Sequence, residues 1–191
     1  LLDQGVHVID VCNWALQAHP VNAIGTGGRK GGADFGDKWT NYQVLYEYPD
    51  NVNVSFHGTQ QSKQSGDVCA RFIGTTGIAE AHYSGGVFIQ GDKPWDSGVP
   101  RCKDAVLTDE QRAAGVFLSS LHDADSNKDK NFISSIETGN YINEALSGSE
   151  STLTAILGRT AATAREEMTW DEMMASNTKI DPMLDLTQFD K

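Results

Sequence analysis

The sequence predicts an α+β fold: an open-faced, mainly antiparallel sheet of about six or more strands, with helices packed on one face. A wholly apolar helical segment opens the chain. A run of period-two segments joined by tight turns follows it, and helical periodicity returns near the end.

Each element follows from its own pattern. Residues 4–17 carry Val6, Val8, Ile9, Val11, Trp14, Ala15 and Leu16 on nearly every side, the mark of a buried helix. Asp3 stands where an N-cap is expected, and His19-Pro20 ends the segment. Residues 21–25 then read as a short strand, and residues 25–32 as a glycine-rich loop. Tyr42, Val44, Tyr46 and Tyr48 alternate, Pro49-Asp50-Asn51 turns the chain, and Val52, Val54 and Phe56 alternate again, which predicts a β-hairpin. Strands over 68–73, 78–83 and 87–89 continue the run, separated by Gly74-Thr75-Thr76-Gly77 and Ser84-Gly85-Gly86. Residues 91–114 read as irregular, with Trp95 exposed. A helix is expected within 118–138, stopping at Gly139. Another is expected over 149–167, with Ser149 as N-cap and Leu153, Ile156, Leu157 and Ala161 on one face. A short turn at 170–174 follows it.

The bulk properties exclude several functions. A chain of 191 residues is expected to form one domain, spanning 1–191. Its formal charge of −11 repels phosphate backbones and anionic lipid, so no nucleic-acid or membrane partner is expected. No apolar run reaches the ~20 residues of a membrane span. Cys12, Cys69 and Cys102 form no C-x-x-C pair, and the five histidines show no metal-ligand spacing, so no metal is predicted. Cys12 and Cys69 read as small core residues.

The chemistry concentrates at Asp3, His7 and Asp10. At about 100° per residue they fall within roughly 60° of one another on the opening helix. A carboxylate four residues before an imidazole can accept its N–H, fix its tautomer and make it a general base. The same residues also allow a plainer reading, with Asp3 as an N-cap and His7 as a hydrogen-bonded core histidine. Arg29 is a cation able to reach a hydroxyl-rich or anionic ligand, or simply a solvated loop charge. The segment around it matches neither G-x-G-x-x-G nor G-x-x-x-x-G-K-[ST]. The tyrosine stripe offers a sugar-stacking or subunit surface, or one face of a half-buried sheet.

Asp3-Gln4-Gly5-Val6-His7-Val8-Ile9-Asp10, with Asn13-Trp14 and His19-Pro20-Val21, resembles the start of the second domain of the glucose–fructose oxidoreductase/inositol dehydrogenase/MocA-type (Gfo/Idh/MocA) family. Gly27-Gly28-Arg29, Tyr46-Glu47-Tyr48-Pro49, Gly74-Thr75-Thr76-Gly77, Leu157-Gly158-Arg159-Thr160-Ala161-Ala162 and Thr169-Trp170-Asp171-Glu172 continue the likeness in order.

The resemblance implies the C-terminal substrate-binding and oligomerisation domain of an NAD- or NADP-dependent oxidoreductase acting on a carbohydrate or cyclitol hydroxyl. It implies His7 as the base, Asp3 as its orienting partner, and Asp10 as a supporting or ligand-contacting residue. It also implies a homodimer or homotetramer formed through the sheet face. The glycine-rich nucleotide fingerprint and the family's Glu-Lys-Pro motif are missing from these residues. The N-terminal cofactor domain is therefore expected to lie outside this chain, which alone should bind no cofactor and be inactive. Two alternatives stay open, a domain of an NAD-dependent glycosidase of the same family and a non-enzymatic dimerisation or ligand-binding module.

Overall fold

The computed structural model describes residues 1–30, 38–60, 68–83, 86–98 and 124–179. Helix α1 (Gly5–Leu16) leads into strands β1 (Asn22–Gly28), β2 (Asn41–Tyr48) and β3 (Val52–Thr59). Strands β4 (Cys69–Ile73), β5 (Gly77–His82), β6 (Val87–Gly91) and β7 (Trp95–Asp96) follow. Helices α2 (Ala124–Thr138) and α3 (Ala145–Ala164), strand β8 (Met168–Thr169) and helix α4 (Trp170–Ala175) complete the described chain. The fold is α+β, as the patterning predicts. Its strands are grouped as two antiparallel four-stranded sheets, ordered β3-β2-β1-β8 and β4-β5-β6-β7.

The first sheet holds the core. Ala23, Tyr46 and Val54 lie opposite one another across three strands, as do Gly25, Val44 and Phe56. Their common face meets α3, which presents Ala155, Leu157, Ala161 and Ala162, all fully buried. Small residues let the helix axis approach the sheet closely, so dispersion contacts are dense there. The tyrosine stripe is thus the inner face of a half-buried sheet, with Tyr46 and Tyr48 in the core. Helix α1 packs in turn against α3 through Ile9, Cys12 and Asn13.

The β2–β3 hairpin turns through Pro49–Asn51, where Asp50 and Asn51 both take left-handed φ values, 61° and 58°. Asp and Asn are among the few non-glycine residues that accept this conformation readily. At the far edge β8 pairs with β1, and Thr169 closes a capping box with Glu172 that starts α4. Two hydrogen bonds from Thr169, one from its backbone N–H and one from its hydroxyl, hold the Glu172 carboxyl below its ordinary range. His19 stacks on Trp170 at 3.8 Å between ring centroids, tying this end to the α1–β1 link.

Several sequence expectations are corrected. Helix α1 is buried only at Ile9, Cys12 and Asn13, and Trp14 is 74% exposed, because α3 covers one side alone. Residues 25–28 continue β1 rather than forming a loop. A Cβ at Gly25 would stand 3.3 Å from the Ala162 Cβ and 2.8 Å from the Gln43 carbonyl oxygen, so the glycine serves close helix–sheet approach. The long helix starts at Ala145, placing Ser149 inside it, where its hydroxyl donates to the Ala145 carbonyl. Cys69 is half-buried in β4, facing His82 across the strand pair, rather than a core residue. Trp95 is exposed as expected, although within a short strand, and α2 stops before Gly139, whose φ is +71°. Residues 31–32, Ser84, Gly85, most of 91–114 including Cys102, and the start of the expected 118–138 helix lie outside the described residues. No helix among the described residues is long and apolar enough to cross a membrane.

Candidate active site

Asp3, His7 and Asp10 are all exposed, Asp3 just before α1 and the other two on it. The helix begins at Gly5 with Gln4 at the N-cap, and no side chain caps it. Asp3 is therefore one residue too early to be an N-cap, and that reading is corrected. The core-histidine reading of His7 is corrected too, since its side chain is exposed. Among the described residues no hydrogen bond or ion pair joins the His7 ring to Asp3 or Asp10. What this end of the chain supplies is an accessible imidazole within about one turn of two carboxylates.

Asp10 also has a structural attachment. Its Oδ1 accepts a 2.6 Å hydrogen bond from the Ser151 hydroxyl of α3. The Asn13 amide, one turn further along α1, donates to Ser151 Oγ at 3.4 Å and to Thr154 Oγ1 at 3.1 Å. Its carbonyl oxygen accepts from the Tyr48 hydroxyl at 2.6 Å. This chain of bonds fixes the rotation of α1 about its own axis and so decides which residues face outward. The sequence carried a signal for it: Asp10 and Asn13 share one helical face, and Ser151 and Thr154 share another.

Burial shapes the titration of the groups behind the helix. It pushes the Cys12 thiol up to about 11 and lifts the Tyr46 and Tyr48 phenols well above their ordinary value. Tyr42, half-buried, is raised by burial and partly lowered again by the charge of Arg159 on α3. Trp39 packs on Tyr42 at 5.5 Å. Sequence reasoning singled out Arg29 as the cation to watch. It lies just past β1 and is exposed, on a different element from the triplet.

The glycine-rich run does not have the form of a dinucleotide-binding turn. This run, Gly25–Gly28, is a strand, and β2 rather than a helix N-terminus is the next described element.

The family model of the GFO/IDH/MocA C-terminal domain matches residues 1–80, a span that contains α1 and the first four strands. Solved structures share the fold of this chain. Myo-inositol 2-dehydrogenase from Lactobacillus plantarum is 17% identical with a TM-score of 0.61, over 87% of this chain and 47% of that one. Aldose-aldose oxidoreductase from Caulobacter crescentus, complexed with glycerol, is 14% identical with a TM-score of 0.58, over 86% and 45%. An oxidoreductase from Agrobacterium radiobacter, in complex with NAD+, L-tartaric acid and magnesium, is 10% identical with a TM-score of 0.52, over 90% and 49%. The chain spans about half the length of the solved structures it matches. No curated protein matches the sequence.

Proposed function

We propose that this chain is the substrate-binding and oligomerisation domain of an NAD- or NADP-dependent oxidoreductase acting on a sugar or cyclitol hydroxyl. The observation that carries the reading is the exposed His7, one turn from Asp3 and Asp10, on the opening helix of the matched span. His7 takes the proton of the substrate hydroxyl, and Asp3 orients the ring once substrate orders the site. Asp10 divides its carboxylate between Ser151 and a substrate hydroxyl, and Arg29 adds a cation at the rim. The hydride acceptor is a nicotinamide held by another domain of the parent protein, so the chain alone is inactive.

The outer face of the first sheet supports the oligomerisation half of the reading. Ile24 and Leu45 lie opposite each other there, 47% and 43% exposed. A homodimer or homotetramer would cover it.

His7→Ala, in the protein that joins this chain to its dinucleotide-binding domain, tests the reading. Cyclitol- or sugar-dependent reduction of the nucleotide should fall about 10²–10⁴-fold with the thermal transition unchanged. Full activity in that variant would remove His7 from the mechanism.

A further inference from the structure

The second sheet holds a cluster that the proposed reaction does not use. Cys69 on β4 and His82 on β5 are direct cross-strand partners, and Arg71 and Glu80 are the next pair on the same face. Tyr83 N–H donates to the Val68 carbonyl at 2.8 Å, which makes the neighbouring Cys69–His82 pair a non-hydrogen-bonded one. Side chains of such pairs stand closest together. His82 Nε2 lies 3.7 Å from Cys69 Sγ and 2.9 Å from Glu80 Oε2, and the three donor atoms all fall within 4.8 Å of one another.

A single nitrogen faces both the sulfur and the carboxylate. Glu80 therefore does not hold the opposite ring nitrogen, as the acid of a nucleophile–base–acid triad would. Convergence of three donors on one point suits a cation instead. With zinc–ligand bonds of about 2.0–2.3 Å, donors at the corners of a tetrahedron stand roughly 3.3–3.6 Å apart. The separations here need shifts of only a few tenths of an ångström along the two measured edges.

We propose that Cys69, Glu80 and His82 form a binding site for a zinc-type divalent cation, supplying three of its ligands. The donor set selects the metal class. A thiolate, an imidazole and a carboxylate suit zinc, whereas magnesium and calcium take oxygen donors. One thiolate and one carboxylate also balance a dication.

The surroundings hold the donors in place. Arg71 Nε binds Glu80 Oε1 at 2.6 Å, which orients the carboxylate and leaves Oε2 towards the other two donors. Phe88 stacks on the His82 ring, with centroids 5.7 Å apart and planes 19° apart. The His82 and Glu80 side chains are 18% and 17% exposed, so an ion has a route in. Sequence spacing gave no warning of this site, because Cys69 reaches the other two donors only through strand pairing.

Cobalt(II) titration of the reduced full chain tests the proposal. One equivalent should produce thiolate-to-cobalt charge-transfer absorption and tetrahedral d–d bands, and zinc should displace both. Cys69→Ser should abolish the charge-transfer band, and Cys12→Ser should keep it. Glu80→Gln and His82→Gln should each weaken binding at least about tenfold. A wild-type chain without the band, or a band that survives Cys69→Ser, would overturn the site. Alkylation of the unaltered chain gives an answer independent of whether the variants fold. Zinc should slow modification of the Cys69 peptide and magnesium should not, and an equal rate with and without zinc overturns the proposal.

Discussion

The Tyr46 hydroxyl lies directly beneath Gly158, in the space that any side chain at that position would need. A Cβ at 158 would overlap the hydroxyl oxygen and stand 2.6 Å from the ring carbon that bears it. The hydroxyl is buried, and among the described residues it has no hydrogen-bond partner. Gly158→Ala should therefore cost about 1–3 kcal/mol through overpacking. Tyr46→Phe should be neutral or mildly stabilising, since it deletes an unpaired buried polar group. Denaturant unfolding of the two single variants and the double variant checks this. The phenylalanine should recover part of the loss in the double variant, giving a coupling that additive sites would not show.

Asn13 ties three elements together, and its removal should be felt in all of them. Asn13→Ala leaves the Tyr48 hydroxyl without the acceptor it now uses and breaks the amide bonds to Ser151 and Thr154. The expected loss is about 1–3 kcal/mol. Hydrogen exchange should locate it, with protection falling along α1 before the β2–β3 hairpin.

Burial makes Cys12 a poor nucleophile. Its thiol is pushed up from the ordinary 9.0 to about 11 by desolvation alone. At pH 8, peptide mapping after alkylation should find Cys12 unmodified in the folded chain and modified once denaturant is added. The sign for stability follows from the raised value. Burial of the neutral thiol contributes fully below pH 9.0, and that contribution is lost as pH rises through about 11. The alkaline limb of the unfolding profile should shift upward in Cys12→Ala relative to the unaltered chain, apart from the cost of the lost packing.

The fold class was legible because period-two alternation at residues 42–56 and helical spacing at 149–161 report directly on which side chains are buried. Asp3, His7 and Asp10 were legible as a cluster for the same reason: helical geometry is local. What depended on distant residues was not. The exposure of Trp14 and His7 follows from α3 covering only one side of α1, and no local pattern states how many partners a helix will have. Gly25 looks like part of a loop until Ala162 is known to press against it. Cys69 and His82, 13 residues apart, became neighbours only through a strand register that a one-residue slip would have destroyed.

That same register sets up the test of the oligomer. Ile24, Leu45 and Ser55 form one row across the outer face of the first sheet, and Asn22, Glu47 and Asn53 form the next. The Asn22 amide donates to Glu47 Oε2 at 2.7 Å, so this face mixes an apolar centre with a polar margin, as subunit contacts do. Leu45→Lys places a cation in the apolar row and near Glu47, where it is tolerated in the isolated fold. The expected change in unfolding free energy within a subunit is below about 1 kcal/mol, because the position is solvent-facing. Across an interface the same lysine would be desolvated against its own copy, which is strongly unfavourable. Analytical ultracentrifugation should show the unaltered chain as a dimer or tetramer and Leu45→Lys as a monomer. A monomeric unaltered chain, or an oligomer indifferent to Leu45→Lys, would assign the apolar row to something other than a second copy.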